Sequence, residues 1–178
     1  MRMVLLVFVT SLAACADAPA TPDASVDATR YGLSIAAPHP LGFAPYDADA
    51  GVEMRMGFQG FRYTRVVLVA TGEVPASTPG RARLDIEGFE RAEQRLSAVT
   101  FSELHPGQWV SPPVMVFAND ITLARAAGRR ATLTVDLDDR RHVASATFEG
   151  PVRWDPNCVE DSQFRCLPGQ PPPDGGTP

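Results

Sequence analysis

Apolar residues recur at every second position through most of this chain, and Gly and Pro punctuate them every few residues. Val52, Met54 and Met56 alternate with Glu53 and Arg55. Ala82, Leu84 and Ile86 alternate with Arg83, Asp85 and Glu87. A strand turns successive side chains to opposite faces, so this period of two predicts half-buried strands and argues against amphipathic helices over the same residues. Leu33 and Ile35 begin the series, and Pro38, Pro40, Gly42 and Pro45 are expected to break it. Tyr63 to Ala70 departs from alternation because Val66, Val67, Leu68 and Val69 are consecutive. That run predicts a central strand buried on both faces.

Later segments keep the same habit. Phe89 to Leu96 fits a helical face or a strand face, and its neighbours favour strand. Phe101 with Leu104, Trp109-Val110 and Val114 to Phe117 are short apolar segments. Asp120 is expected to cap a brief helix through Ile121, Leu123 and Ala127, with Gly128 as its stop. Ala131 to Leu137 and His142 to Phe148 alternate again, and Asp138-Asp139-Arg140-Arg141 between them predicts a hairpin. Seven or more such strands predict an all-β domain, an antiparallel immunoglobulin-like β-sandwich, with a small β-barrel as the alternative. The Cys-Trp-Cys signature of antibody domains is missing, since no cysteine lies between 16 and 157. "Immunoglobulin-like" therefore refers to architecture alone.

The first fifteen residues, MRMVLLVFVTSLAAC, have a different character. Arg2 precedes a short apolar run from Val4 to Val9, too short to span a bilayer and laid out like a secretory signal peptide. Leu12-Ala13-Ala14-Cys15 resembles the lipobox of bacterial lipoproteins. The resemblance implies that residues 1–14 are removed and that Cys15 becomes the lipidated N-terminus, with a diacylglyceryl group and an N-acyl chain such as palmitate. More than one acyl chain makes a durable anchor. Ala16, at the next position, implies the outer rather than the inner membrane. Residues 15–31 then read as a lipidated cysteine and a disordered tether of Ala, Asp, Pro, Ser and Thr. Residues 32–154 read as the β-sandwich domain. Residues 155–178 read as a disulfide-closed loop and a Pro/Gly-rich disordered tail. Cys158 and Cys166 would both be exported, which favours a disulfide over a Cys-x7-Cys metal pair with no nearby His.

A second resemblance lies inside the domain. Gly57-Phe58-Gln59-Gly60, the strand from Phe61-Arg62-Tyr63 to Ala70-Thr71-Gly72, and Gly128-Arg129-Arg130 resemble a group of lipoproteins from myxobacteria-like organisms. That group has no assigned biochemical function. A second Gly is usual there at the place of Phe61, and a His at the place of Tyr63. The resemblance therefore implies no His-dependent site here.

The chain has 178 residues and a formal net charge of −5, and removal of Arg2 with the leader would make it one unit more negative. That balance argues against nucleic acid as a partner. Every basic residue is Arg, so no lysine amine is available for Schiff-base or general-base chemistry. No Gly-x-Ser-x-Gly elbow, phosphate loop or His-Glu-x-x-His pair occurs. His39 and His105 each precede Pro, and His142 opens a strand. Asp47-Ala-Asp49-Ala-Gly51 is similar to the start of a calcium loop, but its Gly comes one place early and Phe58 stands where the bidentate Glu belongs. Asp136, Asp138 and Asp139 read as a solvated hairpin tip. Trp109 and Trp154, with Tyr46 and Tyr63, are the candidate sugar-stacking rings. Pro171-Pro172-Pro173 is a weak polyproline ligand.

Together these features predict a lipid-anchored protein of the bacterial cell envelope. Its domain is expected to be a non-catalytic binding or structural module with no cofactor. Expected partners are the membrane through Cys15, and envelope proteins or glycans; a carbohydrate-binding module is the alternative.

Overall fold

The computed structural model describes residues 28–39, 42–46, 49 and 51–167. Cys15, Asp47 and Pro171-Pro172-Pro173 lie outside the described residues. The fold is all-β. Its first strands are β1 (Thr29–Arg30), β2 (Gly32–His39), β3 (Gly42–Pro45), β4 (Val52–Gly57) and the long β5 (Arg62–Thr71). Next come β6 (Ser77–Ile86), β7 (Ala92–Thr100), β8 (Ser102–His105), β9 (Gln108–Val110) and β10 (Val114–Phe117). One helical turn, α1 (Leu123–Ala126), precedes β11 (Arg130–Asp138), β12 (His142–Glu160) and β13 (Cys166–Leu167).

The strands join in the order β3-β2-β5-β4-β12-β11-β6-β7. This is one curled sheet, and β12 turns its corner. The first part of β12 pairs with β11, from Val143 to Pro151. The second part pairs with β4, with Val152 opposite Val52 and Glu160 opposite Gly57. Between Trp154 and Val159 the register shifts, and such a bulge lets one strand bend from one ladder into another.

The expectation of antiparallel pairing is corrected here, because β12 runs parallel to β4 and to β1. Parallel neighbours need a long crossover connection, which the chain from β5 to β11 supplies. The curl brings two edges face to face. Residues 94–100 of β7 and 111–115, just before and in β10, line opposite sides of one groove, with no strand ladder between them.

The alternation is honoured by burial. Val52, Met54 and Met56 are buried on the inner face with Ala82, Leu84 and Ile86. Leu133, Val135 and Leu137 from β11 join them. The run in β5 is buried on both faces. Val66, Leu68 and Ala70 enter the main core, while Val67 and Val69 meet Ala36, Phe43 and Val110 outside it. Phe89 to Leu96 resolves as a turn followed by β7.

Several expected boundaries move. The tether was expected to run to residue 31, but β1 pairs with β12 from Thr29 and Tyr31 is buried in the core. The domain was expected to end at 154, but Cys158, Val159 and Glu160 are buried and β13 pairs with β12. Pro38 and Pro45 do not stop pairing. Pro38 lies opposite Phe43 in the β2–β3 ladder, and β3 is an edge strand, where the missing N–H of Pro45 is tolerated. The helix cap is Thr122 rather than Asp120, and Thr122 makes no side-chain capping bond. Gly128 does end that turn, at φ +77, a backbone conformation that costs Gly little. The Asp138–Arg141 hairpin forms as expected, with Asp138 Oδ1 accepting from Arg140 N–H at 2.6 Å.

Candidate functional site

The residues with the most unusual surroundings lie where the C-terminal hairpin meets β4 and β5. Arg55 on β4, with Tyr63 and Arg65 on β5, alternates with core residues, so all three project to the sheet's other face. Glu160, at the end of β12, reaches the same face and is 1 % exposed. A carboxylate buried this deeply needs partners. Tyr63 Oη donates to Glu160 Oε2 at 2.5 Å, and Arg65 Nη2 donates to Oε1 at 3.0 Å. Arg55 Nη1 stands 3.5 Å from Oε1.

The same Arg55 nitrogen donates to Cys158 Sγ at 3.3 Å, and its other end is paired with Glu53. Cys158 and Cys166 are joined as a disulfide, as the sequence led us to expect. In the loop-entropy description, closing so short a loop contributes roughly 2 to 3 kcal/mol. The bridge holds the hairpin over Glu160. Burial acts to lower the Arg55 pKa, but Glu53 and Glu160 outweigh it and hold the guanidinium above its ordinary value.

From this cluster a strip of aromatic rings runs outward. Phe164 stacks on the Arg65 guanidinium at 4.8 Å. The Tyr63 ring lies 5.9 Å from Phe117, and Phe117 lies 6.1 Å from Phe61 in an edge-on arrangement. Among the described residues five large hydrophobic side chains are exposed. Phe58, Phe61, Phe117 and Phe164 are four of them, and Leu104 is the fifth. The backbone of Phe58 is tied to the same region, its N–H donating to the Glu160 carbonyl at 2.9 Å. Exposed aromatics gathered in one region are a feature that interaction surfaces share. A groove of about 640 Å³ opens beside Phe61 and Phe117, with Glu90, Gln94, Asp120 and Ile121 along it.

The residues singled out from sequence are placed differently. Trp109 and Trp154 are partly buried against the core, on β9 and β12. Tyr46 stacks on Phe148 with centroids 4.2 Å apart. His142 Nδ1 sits 3.1 Å from Asp139 Oδ2 at the hairpin, while His39 and His105 lie at the ends of β2 and β8. Among the described residues no group of three His, Cys, Asp or Glu side chains is placed to hold a metal ion. The Glu160 cluster escaped the sequence reading. Its one visible signal was Arg55 and Arg65 at outward positions flanking an apolar strand pair.

All three tyrosines of the chain, Tyr31, Tyr46 and Tyr63, have pKa values raised from the ordinary 10.0, in each case chiefly by burial. For Tyr63 the hydrogen bond to the Glu160 carboxylate adds to the effect. Each raised value favours the protonated phenol in the fold. The linked stability is therefore fully present below pH 10 and is lost as pH rises from there through the folded values. A tyrosinate absorbance titration of the native protein should be displaced to higher pH than the one measured in urea. Coincident curves would refute this.

Compared with known proteins, the chain matches no family model, no curated protein and no solved structure. The functional reading therefore rests on the residues themselves.

Proposed function

We propose that this chain is a lipid-anchored protein of the bacterial cell envelope, tethered in the outer membrane through Cys15. Its single domain, an immunoglobulin-like β-sandwich, acts as a non-catalytic binding module for another envelope component. The lipobox-like Leu12-Ala13-Ala14-Cys15 supports the anchor, and with it the likeness to lipoproteins of myxobacteria-like organisms. The observation that carries the binding role is the exposed strip of Phe58, Phe61, Phe117 and Phe164. Aromatic side chains bring large contact area with few rotatable bonds, which is why they dominate binding energetics at interfaces. The Glu160 cluster and the disulfide give Phe164 a fixed base, because that ring stacks on Arg65.

Membrane fractionation tests the anchor. Wild-type protein should sediment with membranes and incorporate labelled palmitate. Cys15→Ala should lose the label and move to the soluble fraction. Retention of that variant on membranes would sink the lipid-anchor part of the reading.

A further inference from the structure

We propose that the Cys158–Cys166 disulfide is a thiol-exchange site, opened by a dithiol that attacks Cys166, and that opening it releases the Phe164 hairpin from Glu160. This goes beyond the binding-module reading, and none of its chemistry needs a partner on the aromatic strip.

The two sulfurs have unlike surroundings. Cys158 is 2 % exposed, while Cys166 lies at the surface. Arg55 Nη1 donates to Cys158 Sγ at 3.3 Å and lies 3.8 Å from Cys166 Sγ. A cation beside a sulfur stabilises its thiolate, and a stabilised thiolate leaves a disulfide faster. Attack comes from the open side, at Cys166. Cys158 is then the leaving group, and its negative charge forms against a guanidinium already in place. The other charges facing Arg55 are carboxylates. Glu53 pairs with Nη2, and Glu160 Oε1 stands 3.5 Å from Nη1. Glu160 keeps Tyr63 Oη and Arg65 Nη2 as donors when Arg55 Nη1 turns to the sulfur.

The exchange runs in two steps. A thiolate of the reductant bonds to Cys166 Sγ, and the Cys158–Cys166 bond breaks. The electron pair goes to Cys158 Sγ, which then takes a proton from water. The reductant's second thiol, as its thiolate, attacks its own sulfur in the mixed disulfide and releases Cys166, which is protonated in turn. The bridge gains two electrons and two protons, and the dithiol leaves as a disulfide.

The hairpin depends on the bridge. Phe164 has φ +60, in the left-handed region, which bulky side chains occupy only where the surroundings enforce it. The bridge is the covalent part of those surroundings. The rest is slight. β13 adds a short ladder, with Cys166 opposite Glu160 and Leu167 opposite Val159. Asp161 pairs with Arg165 at the surface, where such pairs contribute little. With the bridge open, Phe164 can relax to negative φ and the hairpin lifts from Glu160.

The test uses the full chain carrying Cys15→Ala, which leaves Cys158 and Cys166 as its only cysteines. Dithiothreitol is the probe, with iodoacetamide quenching and mass spectrometry as the readout. The folded protein should be reduced about threefold faster than the same chain in urea. Slower reduction in the folded state, as for a bridge that only braces the fold, would overturn the proposal. Glutathione, a monothiol, should be trapped on Cys166, and trapping on Cys158 would contradict the assigned attack. Arg55→Met should slow reduction about threefold, and Arg55→Lys should restore it. Glu53→Gln changes an exposed side chain and frees the cation, so it should speed reduction about twofold even if Arg55→Met fails to fold. No change in rate for Glu53→Gln refutes the part given to Arg55. Hydrogen exchange reads the release. On reduction the amides of Asp161 and Phe164, which bond within the hairpin, should exchange at least about tenfold faster, while that of Leu133 in β11 keeps its protection. Unchanged protection at Asp161 and Phe164 would sink the release, and loss at Leu133 as well would replace it with global unfolding.

Discussion

Glu160→Ala should lower the unfolding free energy by about 3 kcal/mol, because removing one member of a buried charge cluster strands the others. Glu160 is 1 % exposed, and the Arg65 and Arg55 side chains that face it are only 20 % and 21 % exposed. In the variant Tyr63 Oη also loses its acceptor, in a site where it is 4 % exposed. Glu160→Gln keeps the shape and the acceptor but not the charge, so its effect should be roughly half as large. Urea unfolding gives the test. The midpoint should fall in the order wild type, Gln, Ala, with an unchanged slope. The Ala variant should also loosen the strip, since Phe164 rests on Arg65 and Arg65 on Glu160. A midpoint for Ala within error of wild type would mean that the cluster only decorates the sheet.

Leu133→Ala should have an effect of similar size, about 3 to 4 kcal/mol. Leu133 is wholly buried at the centre of β11, with Leu84 beside it on β6 and Phe148 on β12. Truncation removes its transfer energy and leaves a cavity that strands on both sides cannot collapse to fill. The next residue supplies the control. Thr134 faces outward, and its Oγ1 lies 3.4 Å from Thr147 Oγ1 on the surface. Thr134→Ala should therefore change stability by about 0.5 kcal/mol or less. Calorimetry on the pair would decide the matter: equal melting shifts would contradict the register of β11. A small domain is stable by only about 5 to 15 kcal/mol, so either large variant moves a substantial part of the total.

Much of this fold is legible in the sequence. The alternation around Met54, Leu84 and Val135 names the inward residues, because a pleated strand leaves no other choice of face. The unbroken Val66–Val69 run marks a strand covered on both sides. The Asp138–Arg141 turn was visible from residue type alone, since Asp side chains satisfy nearby backbone N–H groups. Edges were harder. Pro38 and Pro45 looked like breaks, and they sit in an edge ladder that only the neighbour's position makes tolerable.

The candidate site was not legible. Glu160 meets Tyr63 and Arg65 across 97 and 95 residues of chain, and neither end carries a local motif. Four exposed phenylalanines look like core residues in a sequence, because hydrophobicity alone predicts burial. Local pattern thus determined which residues face inward and where the chain turns, since both depend on neighbours two to four residues away. Tertiary structure alone decided that β12 bends from one ladder into the other, that β7 and β10 are left facing without a partner, and that charge is buried under a disulfide. Those outcomes depend on which distant strands pair, and pairing is settled by the packing of the whole sheet rather than by any one segment of it.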